Sequence, residues 1–305
     1  MQMDLHNFIK SMEGFTMASN TVINTNIRAL NSHRNLSSVG TALQKSSERL
    51  SSGKKINHAA DDSAGLAITE KMRAQIKGLD MADKNTQDAI SLIQTAEGSF
   101  SEIESMVQRI RELTVQCAND SNATQDRVKI SNEIQQLQDE ISAMAGRTEF
   151  NTKTLATGAF SKSANALYFQ IGANKGQAID LTIGKMTATS LGIGTLASNI
   201  TGALGKTGKG AGSKISGFLS NIDKAISKVS DEVAKLGAKQ NRLEYTSNNL
   251  QVSSENLSSA KSRIEDADMA KEMMNVTAKN VLQQAATSML AQANQATSSV
   301  VSLLQ

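Results

Sequence analysis

Eight aliphatic residues, Ile215, Ile222, Val229, Leu236, Leu243, Leu250, Leu257 and Ile264, stand seven apart along the second half of the chain. An apolar side chain at every seventh position lines one stripe of an α-helix, and a stripe that long is buried only against other long helices. Leu219, Ile226 and Val233 complete an a/d seam in the first part, after which the d positions turn polar at Gln240, Ser247 and Ser254. An unbroken helix over this run is about 75 Å long at ~1.5 Å per residue. Nothing in the composition opposes such helices: among 305 residues there is no proline and no tryptophan, and aromatics make up only 3%. Proline inside a helix costs about 3 kcal/mol, and compact globules usually lean on aromatics for their cores. The chain is therefore predicted to be mainly α: a long antiparallel helical bundle or coiled-coil rod, with its N- and C-terminal helices paired.

The first half supplies the partners. Ile23, Ile27 and Leu30, then Leu36, Val39, Leu43 and Leu50, predict an amphipathic helix from Val22 to Leu50. Ser, Gly and Asn break it between Leu50 and Asn57, and Asp61-Asp62-Ser63 supplies capping chemistry for the next helix. That helix carries Met72, Leu79, Thr86, Ile93, Phe100 and Val107 as a heptad stripe, flanked by Ile76, Ile90, Ile103 and Ile110. The polar turn Asn119–Asn122 ends it. A third helix shows Ile130, Ile134, Leu137, Ile141 and Met144 on one face, with Gly146 at the expected C-terminal cap. Between Arg147 and Gly194 the pattern changes to short alternation, and the runs Leu167–Ile171 and Ile179–Ile183 predict a β-hairpin turning near Asn174 and Gly176. Dense glycine from Gly192 to Gly217 predicts a flexible connection. Each terminal helix spans roughly 40 residues with a thin apolar face, too little to fold alone. Both ends are expected to order only when neighbouring copies supply the missing contacts, which is the design of a polymerising subunit.

The charge is +3, with bases and acids interspersed, so neither a basic face nor stacking aromatics point to nucleic acid. No run approaches the ~18 apolar residues of a membrane span. Cys117 is the single cysteine, which excludes an intrachain disulfide and predicts a small helix residue; His6, His33 and His58 are far apart. Met1 to Thr16 lacks the apolar core of a secretory signal. Glu13-Gly14-Phe15-Thr16 has the form of a pilin-type cleavage site, but the polar sequence after Met17 argues against it. Residues 1–16 are read as a non-native or misassigned leader. Leu204-Gly205-Lys206-Thr207 ends like a phosphate-binding loop, yet Ile200 stands where the motif needs glycine. His58, Asp61 and Asp62 offer a single nitrogen ligand, and a helix start accounts for the acids. Met269, Met273, Met274 and Met289 fit either helix packing or an adaptable binding helix. No convergent nucleophile, base or metal set is present, so neither an enzyme nor a cofactor is expected.

Two blocks carry a resemblance. SSERLSSGKKINHAADDSAGLAI at 46–68 and the C-terminal stretch from SRIEDADMAKEMM to SSVVSLLQ closely resemble bacterial flagellin, and MASNTVINTNIRAL from Met17 resembles its start. The resemblance implies a minimal filament subunit with three parts: residues 17–56 with 264–305 as a terminal inner-tube coiled coil, 57–190 with 213–263 as a helical rod domain with a β-hairpin, and 191–212 as a short connector in place of a variable domain. It implies polymerisation through the terminal helices, with Ile23, Ile27, Leu30, Val281, Leu282, Leu290, Val300, Leu303 and Leu304 as the apolar residues involved. It implies an extracellular location in the flagellar filament, export without a cleaved signal peptide, and as partners other copies of the chain, an export chaperone, and hook-junction and cap proteins. Gln108 to Gln116 matches the segment read by the vertebrate innate immune receptor for flagellin; Gln108, Arg109, Arg111, Glu112 and Leu113, with Glu133 on the adjacent helix, are then expected to serve both receptor binding and subunit packing. Two other readings are a flagellar junction protein, which shares related terminal helices, and a helical signalling domain, which would need a membrane span or a sensor partner.

Overall fold

Residues 25–161, 163–204 and 211–302 are described by the structure, a computed structural model. They fall into two compact units, one drawn from both chain ends, up to Thr69 and from Lys261, the other formed by Glu70–Ala260.

The unit drawn from the ends is built on helices α1 (Ile27–Ser52) and α8 (Met269–Ser302). The Asn26 carboxamide starts α1 by accepting from the Ala29 N–H at 2.9 Å, and Gly53 ends it in the left-handed region, φ 69°. That conformation strains any residue with a Cβ. Asp62 caps α2 (Ser63–Ala118) by accepting from the Gly65 N–H at 2.9 Å, as the sequence predicts for this stretch. Asp268 does the same for α8, accepting from Ala270 and Lys271. The two segments that follow α1 and precede α8 are tied together: Lys55 N–H donates to the Glu265 carbonyl at 2.7 Å, and Ala267 N–H to the Gly53 carbonyl at 3.0 Å. Helices α1 and α8 run antiparallel, with Asn26 reaching the Ala293 carbonyl and Lys279 the Ala42 carbonyl.

The other unit holds most of α2, α3 (Thr124–Arg147), two hairpins, three short helices and most of α7 (Leu219–Glu265). Its core follows the heptads. Thr86, Ile93, Phe100, Val107 and Ile110 on α2 and Ile222, Val229, Leu236 and Leu243 on α7 are all at most 1% exposed. Ile134 and Ile141 on α3 join them. Helices α2 and α7 are antiparallel, as cross-links at both ends demonstrate: Ser254 to Asp80 at 2.8 Å and Arg111 to Asp223 at 2.9 Å. Where the α7 seam turns polar, Ser247 and Ser254 donate to Asp83 and Asp80. The change from aliphatic residues to serine in that row therefore marks a switch from apolar packing to hydrogen bonding across the pair.

Strands β1 (Glu149–Phe150) and β2 (Lys153–Thr154) form a tight hairpin that the sequence pattern does not announce, with Asn151 and Thr152 both at positive φ. β3 (Leu167–Gln170) and β4 (Ala178–Leu181) form the predicted one, antiparallel with Phe169 opposite Ile179. Gly176, φ 85°, sits in its turn.

Three local expectations change. Gly146 does not end α3; the helix continues to Arg147, and Thr148 closes it by donating from N–H and Oγ1 to the Met144 carbonyl. The stretch from Gly192 to Gly217 is not simply a flexible connection: α4 (Ala188–Leu191) precedes it, and it contains α5 (Leu196–Leu204) and α6 (Ala211–Gly217). Leu196, Ala197, Ile200 and Ile215 are buried there, and Ser131 and Gln138 of α3 donate to the Ala197 and Ile193 carbonyls. Glycine is required at Gly212, where an added Cβ would lie 2.4 Å from the Ala118 carbonyl oxygen. The heptad helix is not continuous either, because the chain turns at Phe218, between α6 and α7.

Removing a ring from the fully enclosed site at Phe100 leaves a cavity with no neighbour free to fill it. Phe100→Ala is expected to cost about 3–5 kcal/mol, read as a lowered urea midpoint with the slope unchanged.

Candidate assembly surfaces

The seam between α1 and α8 obeys a strict alternation of three and four. On α1 it is Ala29, Ser32, Leu36, Val39, Leu43, Ser46 and Leu50; on α8 it is Glu272, Val276, Lys279, Gln283, Ala286, Leu290 and Ala293. Such a seam is that of a coiled coil, but its most deeply buried members are polar. Among the described side chains of the two helices, only Ser46, at 2%, and Glu272, at 8%, are nearly sealed from solvent. Lys279 donates to the Ser46 hydroxyl at 2.6 Å. A hydrogen bond from Ser46, then one from Asn275, and the charges of Arg49 and Lys279 hold the Glu272 carboxyl below its ordinary range against the effect of burial.

Other large apolar side chains of the same helices point outward. Ile27 and Leu30 are 52% and 56% exposed, Val281 and Leu282 60% and 55%. The cause for α1 lies in its spacing: the step of six from Leu30 to Leu36 shifts the stripe by about a third of a turn. Ile27 and Leu30 therefore lie off the seam that Leu36, Val39, Leu43 and Leu50 share. Leu290 differs from its sequence companions, being half-buried in the seam. Val300 lies in α8, while Ile23, Leu303 and Leu304, like residues 1–16 and the Gly205-Lys206-Thr207 tripeptide, lie outside the described residues.

A second surface is formed by α2 and α3. Arg109 bridges them, its Nη2 3.0 Å from Glu133 Oε1 and its Nη1 3.1 Å from Glu112 Oε2. Both carboxylates, Glu133 first, raise the pKa of the guanidinium. Gln108, Arg109, Arg111, Glu112 and Glu133 are exposed, and Arg111 turns to Asp223 of α7. Leu113 is not presented with them. At 2% exposure it belongs to the core beneath, where it supports α2 from below.

The remaining candidates resolve into structure. His58 pairs with Glu48 at 2.7 Å. Asp61 accepts from the Asn57 and His58 N–H groups and pairs with Lys45. Among the described residues no cluster of acids, histidines and cysteine fits a metal, and no helix is long and apolar enough to cross a membrane. Cys117 is buried beside Arg127, and burial pushes its thiol up. Arg127 itself escaped the sequence reading. It is 5% exposed, and its Nη2 holds the α2–α3 turn through the Asn119 carbonyl and Asp120. A basic residue within one turn of Asp126 looks like an ordinary surface residue until its burial is seen. Glu232 was missed for a similar reason; it accepts from the Gly184 N–H beyond the β3–β4 hairpin.

The profile of the bacterial flagellin N-terminal helical region matches residues 23–161, and that of the C-terminal helical region residues 219–304. The chain belongs to the bacterial flagellins. Flagellin of Bacillus subtilis is 49% identical over 304 residues, covering 93% of this chain and 99% of the relative. The flagellar filament 33 kDa core protein of Treponema phagedenis is 43% identical over 290 residues, covering 93% and 100%. A structure described as a flagellar hook-associated protein of Vibrio parahaemolyticus aligns over 68% of this chain and all of its own, at 15% identity and a TM-score of 0.56; it shares the fold. As a flagellin, the chain is a structural subunit that self-assembles into the flagellar filament outside the cell, and it is not an enzyme.

In this flagellin, Lys45, then the backbone of Asn57 and His58, lower the Asp61 carboxyl from 3.8 to about 2. A carboxyl whose pKa is depressed by folding stabilises the fold above its unfolded value and loses that contribution as pH falls. Glu272 has the same sign. Circular dichroism of the monomer is expected to report helix loss between about pH 4.5 and 2, with Asp61→Asn and Glu272→Gln each flattening the transition.

Proposed function

We propose that the outward face of the α1–α8 pair is the polymerising surface of the subunit. What supports this is the inversion within the pair: polar side chains occupy the sealed positions while Ile27, Leu30, Val281 and Leu282 remain more than half exposed. Apolar side chains gathered on one pair of helices mark a surface awaiting a partner, and in a filament the partner is another copy. On this reading residues 17–56 with 264–305 form the inner tube, residues 57–190 with 213–263 form the helical rod domain, and 191–212 stands as a short connector in place of a variable domain. Before assembly an export chaperone covers the C-terminal apolar face. Hook-junction and cap proteins meet the same helices at the two ends of the filament.

Purified chain beginning at Met17 is expected to elongate flagellar seeds under the electron microscope. Val281→Asp with Leu282→Asp is expected to keep the helical signal of the monomer while slowing elongation at least tenfold, since two charges would have to be buried. Equal growth of the double variant would refute the assignment.

A second reading rests on the exposed ion-pair cluster of Arg109, Glu112 and Glu133. An arginine fixed by two carboxylates across two helices is a preorganised contact of the kind that dominates protein recognition. We infer that this surface is what the vertebrate innate immune receptor reads, with Gln108 and Arg111 beside it and Leu113 keeping α2 in place beneath. Arg109→Ala is expected to weaken receptor binding by about tenfold or more without changing the thermal unfolding of the monomer; unchanged binding in a surface-capture assay would remove this role.

A further inference from the structure

We infer that the methionines of α8 form an oxidation-sensitive site that controls whether a subunit can join the filament, an inference that rests on the assembly reading above. Of the thioethers in the described residues, Met186 is buried, while Met72, Met106 and Met144 are partly covered. Helix α8 behaves differently. Met269, Met273, Met274 and Met289 are 47%, 50%, 67% and 59% exposed, and all four lie on one 34-residue helix. Outside that helix, Met81 is the one described methionine with comparable exposure, at 54%.

The arrangement has two consequences. Before assembly the four sulfur atoms are open to a two-electron oxidant such as hypochlorous acid. The sulfur lone pair takes the oxygen, an S=O bond forms as the O–Cl bond breaks, and chloride and a proton leave; the sulfur is oxidised by two electrons and the chlorine reduced by two. The product is a polar sulfoxide with a strong acceptor oxygen in place of a flexible apolar group. Met289 has Arg28, Asn31, Ser32 and Gln292 beside it, whereas Met273 and Met274 share their helix with the exposed Val281 and Leu282, and a sulfoxide carried with that apolar face into a subunit contact is left unpaired. An unsatisfied buried polar group weakens association by roughly tenfold per site.

Cys117 does not share this sensitivity, because it is buried and its thiol is shifted towards the neutral form. Apart from Met81 on α2, the lesion therefore falls on α8 and not on the core; a methionine sulfoxide reductase supplied with a dithiol, which gives two electrons and becomes a disulfide while the oxygen leaves as water, would return sulfoxide to thioether and restore the subunit.

The test compares seeded elongation of the native chain with that of a variant carrying Met269→Leu, Met273→Leu, Met274→Leu and Met289→Leu. Each is studied untreated and after limited hypochlorous acid, with oxidised positions mapped by peptide mass spectrometry. Leucine keeps the volume and apolarity of each site but offers no sulfur. The expected result is that treated native chain elongates at least tenfold more slowly, that treated Leu variant elongates like its untreated form, and that reductase treatment recovers the native chain. If treated native chain carries sulfoxide on α8 and elongates normally, or if the treated Leu variant loses elongation equally, the inference is overturned. If untreated native chain fails to elongate, the assembly reading falls and this inference with it, an outcome distinct from loss confined to the treated samples.

Discussion

The repeated aliphatic seam between α2 and α7 is the interaction on which the rest of this molecule depends. Its side chains, from Ile93 and Phe100 to Ile222 and Leu243, are withdrawn from water, and each fully buried aliphatic side chain contributes about 1.5–3 kcal/mol over an exposed one. A seam of that strength fixes two long antiparallel helices. They in turn supply the surface on which α3, the β3–β4 hairpin and the short helices settle. These elements bury apolar side chains against it, and polar contacts to backbone add to their placement: Ser131 and Gln138 to carbonyls of the α4–α5 segment, Lys228 and Lys239 to the Ser190 and Asp180 carbonyls, and Glu232 to the Gly184 N–H.

The terminal helices follow the same geometric rule with the opposite chemistry. Their seam has the same alternation of three and four, yet its sealed positions hold Ser46 and Glu272, and Lys279 spans the pair. Polar groups in a seam set register at a cost in stability. The pair is thus well specified and weakly stabilised, while Ile27, Leu30, Val281 and Leu282 stay exposed. Strength thus resides in the unit formed by Glu70–Ala260, and an uncovered apolar surface in the pair drawn from the chain ends.

Much of this was legible in the sequence because period is a property of the chain. The α7 heptad, the break at Gly53, the Asp62 cap and the β3–β4 hairpin all follow from spacing and residue type. What could not be read has a common cause: it depends on which residues meet across space. The helices α5 and α6 were hidden by glycine, because composition suggested a linker while Ile200 and Ile215 were in fact needed to cover the core. Arg127, Glu232 and Gly212 carry no local signal at all; each matters through a carbonyl, an N–H or a close approach supplied by distant residues. On α1, Ile27 and Leu30 were visible as apolar but not as outward. Only the six-residue step before Leu36 hinted that they had left the seam. At the Arg109 surface the exposed residues were legible from resemblance, whereas the burial of Leu113 emerged only in the fold.

The unit drawn from the chain ends has a temporal consequence. Its two halves are separated by the whole contiguous stretch Glu70–Ala260, so Asn26 meets Ala293 across 267 positions and Lys279 meets Ala42 across 237. Closing a loop of that length is entropically expensive and slow, whereas the contiguous unit forms from nearer neighbours. A chain still emerging from its N-terminus therefore holds α1 without a mate. The pair closes last, once the final helix has arrived, and a truncated product is left without it. Chain order thus acts as a completeness check on this pair, which closes only when both α1 and α8 are present.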